Sequence, residues 1–539
     1  MKETIIILGA GVMQGPVIKI AKELNYNTIA LDASSRAPCI HLADRFEQID
    51  LKDKEGIEDF ARSIQGSAKR LGIMTAGTDF SASVAWVSQR LGLPGIPYEA
   101  ALDASDKSRM RKRFKLANLP SPDFFTITEK DIPGSIPFPF PVVIKPVDNM
   151  GSRGCRRADS IEEFHEAAVK AIAFSRSGCA IVEEFMEGLE FSVDAIHYQG
   201  EITICGLADR HIFFPPYFIE MGHTMPTIID KDKQDAILDT FCAGIHALNL
   251  AGKENAGAAK GDIKLTSKGP MLGEIAARLS GGYMSGWTYP YSSGALPIKA
   301  AILIAMGEKP QGLVPVKDWT CAERAFISIP GTVKKITGIK SENGEVKKSD
   351  YVNDIFLRIA EGDKVSFPEN NVTKCGNIIA SAQNREDAIT AAQKMAKSIL
   401  IRLDSSDAQT SVFLKDANKV FPPDAFLLTE AMKAALEEIP ESCISIEPEQ
   451  ASSCFIYPFP AFQASGLRDY MDRTVDEALD AVRLLTGFPL PVMQPFENAE
   501  NETRLGRSFW AALIRGSYQG AVYLLESMGA EIDKDKDKE

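Results

Sequence analysis

The chain has 539 residues, enough for about three to five domains at roughly 100–200 residues each. Hydrophobic residues make up 45%, charged residues 25%, and the net charge is −13, which suits globular folding and argues against a nucleic-acid partner, because a phosphate backbone calls for a basic face. No apolar run nears the ~20 residues that span a bilayer, and nine scattered cysteines without a C-x-x-C pair point to reduced thiols in a cytoplasm, with no membrane partner.

Thr4–Leu8 reads as an apolar strand, too short for a signal-peptide core. Gly9-Ala10-Gly11-Val12-Met13-Gln14-Gly15 follows, then a helix over Pro16–Leu24 and a second strand, Asn27–Asp32. That is the βαβ start of an open parallel sheet. The spacing G-x-G-x-x-x-G departs from the dinucleotide fingerprint G-x-G-x-x-G, so a nucleotide-type fold without NAD is favoured over a dehydrogenase. Leu71–Ala76 adds a strand before Gly77-Thr78-Asp79, and the first domain is expected to end near Pro97. Asp106 opens a basic helix, Lys107–Ala117, stopped by Leu119-Pro120-Ser121-Pro122. Ile161–Ala173 has helical periodicity. Ala180–Glu184 and Glu190–His197 read as paired strands with Gly188 between them, and Gly261–Leu265 and Pro270–Ile275 as a hairpin. Ala322–Ala380 carries several β-like runs before a helix over Arg385–Ile401. From about Asp416 the chain changes to proline-rich joins and helices such as Gly466–Leu485 and Leu505–Met528, ending in Asp533–Glu539, a charged tail expected to be disordered. The aromatic run Cys454–Phe462 reads as core.

Four groups of residues carry chemistry. In PVVIKPVDNMGSRG (Pro141–Gly154), a strand ends in Lys145 and runs into a glycine-rich loop. That is either an ordinary hairpin or a lysine at phosphate oxygens beneath a loop whose N–H groups wrap the anion. Asp262 and Glu274 face each other across the expected hairpin among apolar neighbours. Burying two like charges is costly without a cation between them, and Mg²⁺ takes one or two carboxylates plus substrate phosphates. Arg278 follows within reach of an anionic intermediate. Glu183-Glu184-Phe185-Met186 and Glu190 could line an adenine and a ribose if they join two lobes. Six histidines without ligand spacing argue against zinc. Cys155 beside the loop reads as a packing thiol, and no Ser/His/Asp or Cys/His arrangement is evident.

The order of these pieces resembles the ATP-grasp superfamily, in its carboxylate–amine ligase branch of carbamoyl-phosphate-synthase-like and L-amino-acid-ligase-like proteins. The likeness rests on Asp106-Lys107, VIKPVDNMGSRG, IVEEFMEGLEFSVD and GDIKLTSKGPMLGEIAARLSGG, and extends to FIEMGHTMP (Phe218–Pro226), PGTVKKITGI (Pro330–Ile339) and the later Gly376 with Arg385–Ile389. It covers about residues 1–400. It implies a fold of α/β and α+β domains: a Rossmann-like sheet (1–100), an ATP-grasp two-lobe core (101–310), a β-rich closing lobe (311–410), a mostly helical C-terminal domain (411–530) and a disordered tail (531–539). It implies ATP and Mg²⁺ (or Mn²⁺), with Lys107 and Lys145 on phosphates and Gly151, Ser152, Arg153 and Gly154 as a mobile flap. Glu183, Glu184, Phe185 and Met186 would surround adenine, Glu190 would hold ribose, and Asp262 and Glu274 would bind the metal. Glu220, Gly222, His223, Arg278, Ser280, Gly281 and Gly282 would face the substrate, with Lys145, Arg278 and His223 as catalytic groups. Many members carry E-x-N-x-R, where this chain has Glu274-Ile275-Ala276-Ala277-Arg278, so Ala276 cannot ligate a second metal. The implied reaction activates a small carboxylate as an acyl phosphate and joins it to an amine, releasing ADP and phosphate. The alternatives are an enzyme phosphorylating bicarbonate or formate, and a nucleotide-binding protein without turnover. The C-terminal helices could serve a homodimer, a substrate cover or a partner module.

Overall fold

The computed structural model describes residues 2–339, 350–416, 420–441, 454–492 and 503–536. It divides into two compact units, one of Met1–Glu323 with Ile379–Ile389, the other of Arg324–Ile378 with Thr390–Glu539.

Unit one begins with β1 (Glu3–Leu8), α1 (Gly15–Glu23), β2 (Asn27–Asp32), β3 (Arg45–Gln48), α2 (Lys54–Gln65), β4 (Arg70–Met74) and α3 (Ser81–Leu91). The four strands are parallel in the order β3-β2-β1-β4. Strand β1 is apolar on both faces because both are covered. Ile5 and Ile7 pack with Val17 and Ile18, whereas Ile6 and Leu8 pack with Ile57, Val87 and Leu91. The glycine loop after β1 is filled by the chain itself. The Ala10 N–H donates to Asp32 (2.9 Å), the Gly11 N–H to Gln14 Oε1 (2.9 Å), and Gln14 Nε2 to the Ala76 carbonyl. A Cβ at Gly9 would lie 2.9 Å from Gln14, so the groups a pyrophosphate would take in a dinucleotide fold are already used.

α4 (Tyr98–Ser105) and α5 (Lys107–Leu116) lead to the next sheet. Asp106 caps α5, accepting from the N–H groups of Ser108 (2.8 Å) and Arg109 (3.0 Å). Strands β5 (Phe124–Thr128), β6 (Val142–Pro146), β7 (Arg156–Ala158) and β8 (Cys179–Glu184) form an antiparallel sheet ordered β5-β8-β6-β7, covered by α6 (Ile161–Phe174). The second sheet takes β9 (Leu189–Tyr198), β10 (Glu201–Phe213), β11 (Ile219–Met225), then, after α7 (Lys231–Ala247), β12 (Ala256–Thr266) and β13 (Gly269–Ala276). These run antiparallel in the order β13-β12-β9-β10-β11. One face is apolar: Phe191, Val193, Ala195 and Ile263 pack against Met110, Phe114, Ile237 and Phe241. Period-2 alternation turns Glu190, Asp194, Lys260, Asp262 and Lys264 to the other face. α8 (Tyr289–Ser292) and α9 (Pro297–Ala305) complete this part, α9 packing between the parallel sheet and Ile196.

The expected pairing of 180–184 with 190–197 does not form. β8 and β9 lie in different sheets, and Phe185–Gly188 is a crossover. Gly188 has φ +147, and a Cβ there would lie 2.1 Å from the Leu265 carbonyl oxygen. Gly188→Ala should therefore destabilise unit one by about 1–3 kcal/mol in denaturant unfolding, since backbone cannot yield as a side-chain tip does.

In unit two, Gly331–Thr337 lies between Lys364–Val365 and Leu400–Leu403. The expected helix over Arg385–Ile401 ends at Ser398, and Leu400–Leu403 becomes a strand. Phe426, Phe459, Phe462, Phe509 and Trp510 form the aromatic heart of the C-terminal core. The helix expected over Gly466–Leu485 forms only over Val475–Thr486. Asp469 takes the N–H groups of Met471 and Arg473, and a Thr474/Glu477 capping box starts the helix afterwards. Cys454–Ile456 and Thr503–Leu505 pair as short parallel strands within this largely helical region. The last helix runs Arg507–Lys536, interrupted at Gly516 and Ser517. It thus continues into the segment expected to be disordered from Asp533; the final three residues lie outside the described ones.

Candidate active site

Lys145 and Glu183 stand on adjacent strands β6 and β8, where Lys145 pairs with Ile181 and Val143 with Glu183. Lys145 Nζ lies 2.6 Å from one Glu183 oxygen and Arg111 Nε 2.8 Å from the other. Glu183 is 1% exposed, Lys145 18%. Burial opposes the lysine's charge, but Glu183 outweighs it and holds the ammonium above its ordinary value. For Glu183, burial is in turn overcome by Arg111 and Lys145, which keep it ionised below the usual range. The Glu183 side chain therefore anchors the lysine, and any contact of this residue with a purine is left to its backbone.

β6 and β7 do form a hairpin, Val142 opposite Ala158, with the glycine loop at its end. Gly151, Ser152 and Gly154 all adopt left-handed backbone, with φ of 68°, 60° and 68°. The root of the loop is clamped. Asp148 accepts from Ser175 Oγ and from the N–H groups of Arg176 and Ser177, and Asn149 Nδ2 donates to the Phe174 carbonyl. Arg153 reaches back to Asn149 Oδ1 at 3.4 Å. Lys107 Nζ donates to the Asn149 carbonyl (2.8 Å) and lies 3.6 Å from Glu274. Burial pushes the Cys155 thiol up to about 11, so it is protonated and inert at neutral pH.

Asp262 and Glu274 are direct partners across β12 and β13. Each carboxylate also has a cation of the protein against it, Arg210 at Asp262 and Lys107 at Glu274. Arg210, only 10% exposed, meets Glu190 (2.5 Å), Glu220 (2.8 Å) and Asp262 (2.8 Å). Lys260 also pairs with Asp262, and Lys264 lies 3.7 Å from Glu190. Burial would raise Glu274, but Lys107, Lys260, Lys145 and Arg278 hold it down at about 2. Among the described residues no group of three or more His, Cys, Asp or Glu gathers for a metal. Two opposed carboxylates offering only oxygen do suit a hard ion completed by phosphate oxygens. Ala276 is buried beside them.

The crossover presents Phe185, its ring stacked on Phe218 with centroids 6.5 Å apart and the Arg157 guanidinium 4.8 Å away. Glu184 turns to the Asp123 N–H (3.2 Å), and Met186 follows on the same crossover. Gly222 stands opposite His211 in β11. His223 is fully buried, with Nε2 2.7 Å from Thr288 Oγ1 and Nδ1 3.4 Å from Glu323. Both ring nitrogens thus face protein groups. Ser280 gives its N–H (3.0 Å) and hydroxyl (2.7 Å) to Asp194. Gly281 touches the loop after β4: a Cβ there would lie 3.2 Å from the Gly77 carbonyl, and Gly282 has φ +60. Arg278 Nη1 donates to the Leu279 carbonyl. Lys107, Lys145, Glu183, Glu190, Glu220, Asp262, Glu274 and Arg278 are thus linked by contacts or mutual fields, whereas Glu184, His223 and Ser280 face elsewhere.

Five residues of this site were missed in the sequence: Asp79, Arg111, Asp194, Arg210 and Lys260. Asp79 stands two residues after Gly77, and burial raises its carboxyl although Arg278 and Lys107 act to lower it. Asp194 is fully buried, and burial raises it to about 6 against the Ser280 hydrogen bonds. A raised folded-state pKa means the folded chain holds the proton more tightly. Stability should fall by about 3 kcal/mol as pH rises from about 4 to about 6, then level off. Asp194→Asn should lose that slope, so its melting temperature relative to the parent should be higher at pH 7 than at pH 4.

Comparison with known proteins defines the class. Residues 138–285 match the ATP-grasp domain, and residues 325–404 match the L-amino acid ligase C-terminal domain 2. The chain therefore carries an ATP-grasp domain and the C-terminal element of L-amino acid ligases. Among particular proteins, it is 23% identical over 337 residues to carnosine synthase 1 of Gallus gallus, which covers 57% of this chain and 36% of that protein. It is 30% identical over 170 residues to D-alanine–D-alanine ligase of Granulibacter bethesdensis, 29% of this chain and 53% of that one. The L-amino acid ligase of Bacillus licheniformis superposes with a TM-score of 0.63 at 20% identity, over 75% of this chain and all of that one. The last shows a shared fold. The match spans little more than a third of the carnosine synthase and about half of the D-alanine ligase.

Proposed function

We propose that this protein is an ADP-forming ligase that activates a small carboxylate as an acyl phosphate and joins it to an amine. The observation that carries this reading is the face on which Lys107, Lys145 and Arg278 gather around Glu274, opposite Asp262, beside the glycine loop. In this reading the two lysines face the phosphates of ATP, and the N–H groups of Gly151–Gly154 close over them. The backbone of Glu184–Met186 and the Phe185 ring border the adenine, and Glu190 the ribose. Asp262 and Glu274 would hold Mg²⁺, which when bound would neutralise phosphate charge. A substrate carboxylate oxygen attacks the γ-phosphorus, the bond to the β-phosphate oxygen breaks, and ADP leaves. The amine nitrogen then attacks the acyl carbon, loses a proton and expels phosphate. No side-chain nucleophile is needed; the chain positions the reactants and offsets charge. Arg278 steadies the acyl phosphate.

No described helix is long and apolar enough to cross a membrane. The reading assigns the protein to the cytoplasm with small molecules as partners, and sedimentation of the full chain tests for a homodimer.

A coupled ADP-release screen over pairs of carboxylates and amines is the direct test. ADP should form only with a carboxylate and rise when the amine is added. ADP release on bicarbonate or formate alone would instead favour the carboxylase-like reading, and tight ATP binding without phosphate release across the panel a non-catalytic one. Glu274→Gln should raise the Mg²⁺ needed for half-maximal rate by at least about tenfold.

A further inference from the structure

Behind Arg278 lies a cavity that none of the roles above uses. It opens between α3, the Pro94–Ile96 segment, the start of β12 and α9. Ile73, Val84, Ile96 and Ile304 give it apolar walls. Two polar atoms in its lining are orphaned. Ser81 is 3% exposed and its hydroxyl has no hydrogen-bond partner among the described residues, and the same holds for Arg278 Nε. A buried polar group left unpaired costs stability, so two of them around one apolar space mark a place for a ligand with an acceptor and an apolar body. Arg278 is the wall shared with the charged face: it lines the cavity beside Ala277, stands two residues past the strand that carries Glu274, and its Nη1 donates to the Leu279 carbonyl. A carboxylate next to that guanidinium would lie on the reacting side, and whatever it carries would extend into the apolar space.

We propose that the carboxylate-bearing substrate has an aliphatic or aromatic side chain, seated in this cavity between α3 and α9 with its carboxylate at Arg278 and an acceptor near Ser81. This rests on the ligase reading for the identity of the ligand as substrate, but the cavity's preference can be measured without turnover.

The test is calorimetric binding of the full chain to straight-chain carboxylates from acetate to hexanoate. Affinity should rise about fourfold per added methylene until the space is filled. Val84→Phe and Ala301→Phe, which narrow it from opposite sides, should flatten the series. Ala301 is packed in the core, so Val84→Phe, at a half-buried position, keeps the test open if the other variant fails to fold. Ile304→Ala should move the optimum to a longer chain. A wild-type series without a gradient, or a gradient that survives both narrowing variants, overturns the proposal. Should the gradient behave as expected while no carboxylate–amine pair yields ADP, the ligase reading falls and the cavity assignment stands.

Discussion

Lys145→Ala is expected to lower ATP turnover by about 10²–10³, the loss typical of removing one preorganised group that meets developing charge. It should also lower stability, and the amount is informative. Removing one partner of a buried ion pair costs about 3–5 kcal/mol when the other charge is orphaned. Glu183 would not be orphaned, because Arg111 stays 2.8 Å from its other oxygen. The expected loss is therefore smaller, about 1–2 kcal/mol. Glu183→Gln separates the two effects. It keeps the lysine but removes the charge that outweighs burial, so the Lys145 pKa should drop and the pH–rate profile should lose its high-pH plateau earlier. Unchanged phosphate release in Lys145→Ala would sink the site assignment.

Arg210→Ala should be the most damaging single change to the fold of unit one. It would leave Glu190, Glu220 and Asp262, drawn from β9, β11 and β12, without their common cation. Lysines 260 and 264 would still pair with Asp262 and Glu190, whereas Glu220 would lose the guanidinium 2.8 Å from it. A cost of about 3–5 kcal/mol is expected. Differential scanning calorimetry with and without added Mg²⁺ gives a sharper reading. If a divalent ion can sit among these carboxylates, it should recover part of the lost melting temperature in the variant and raise the parent's only slightly. A variant as stable as the parent would show that the arginine merely decorates the strand.

Much of this architecture could be read along the chain. The strand–loop–helix–strand start, the Asp106 cap and the hairpin setting Asp262 against Glu274 are local patterns, and each forms as expected. Partner choice is not local. Alternation in Ala180–Glu184 and Glu190–His197 told of two strands but not of two sheets, which depends on what Gly188 must pass. The Arg210 hub draws on carboxylates up to 52 positions away in sequence, and Asp194 meets Ser280 86 positions on; no spacing rule reaches so far. The role of Glu183 was within reach, since period 2 sends it to the same face as Ile181 and, across the sheet, towards Lys145. So was the late start of the helix at Val475, announced by the Thr474-x-x-Glu477 capping box.

Around the opposed pair and Glu183, five carboxylates (Glu183, Glu190, Glu220, Asp262, Glu274) meet seven cations (Lys107, Arg111, Lys145, Arg210, Lys260, Lys264, Arg278). That small positive surplus falls short of the charge a bare triphosphate brings. A nucleoside triphosphate arriving bare would break electroneutrality; one arriving with its counter-ions would preserve it. The species admitted should thus be the metal–nucleotide complex, and excess free triphosphate should behave as a poor competitor.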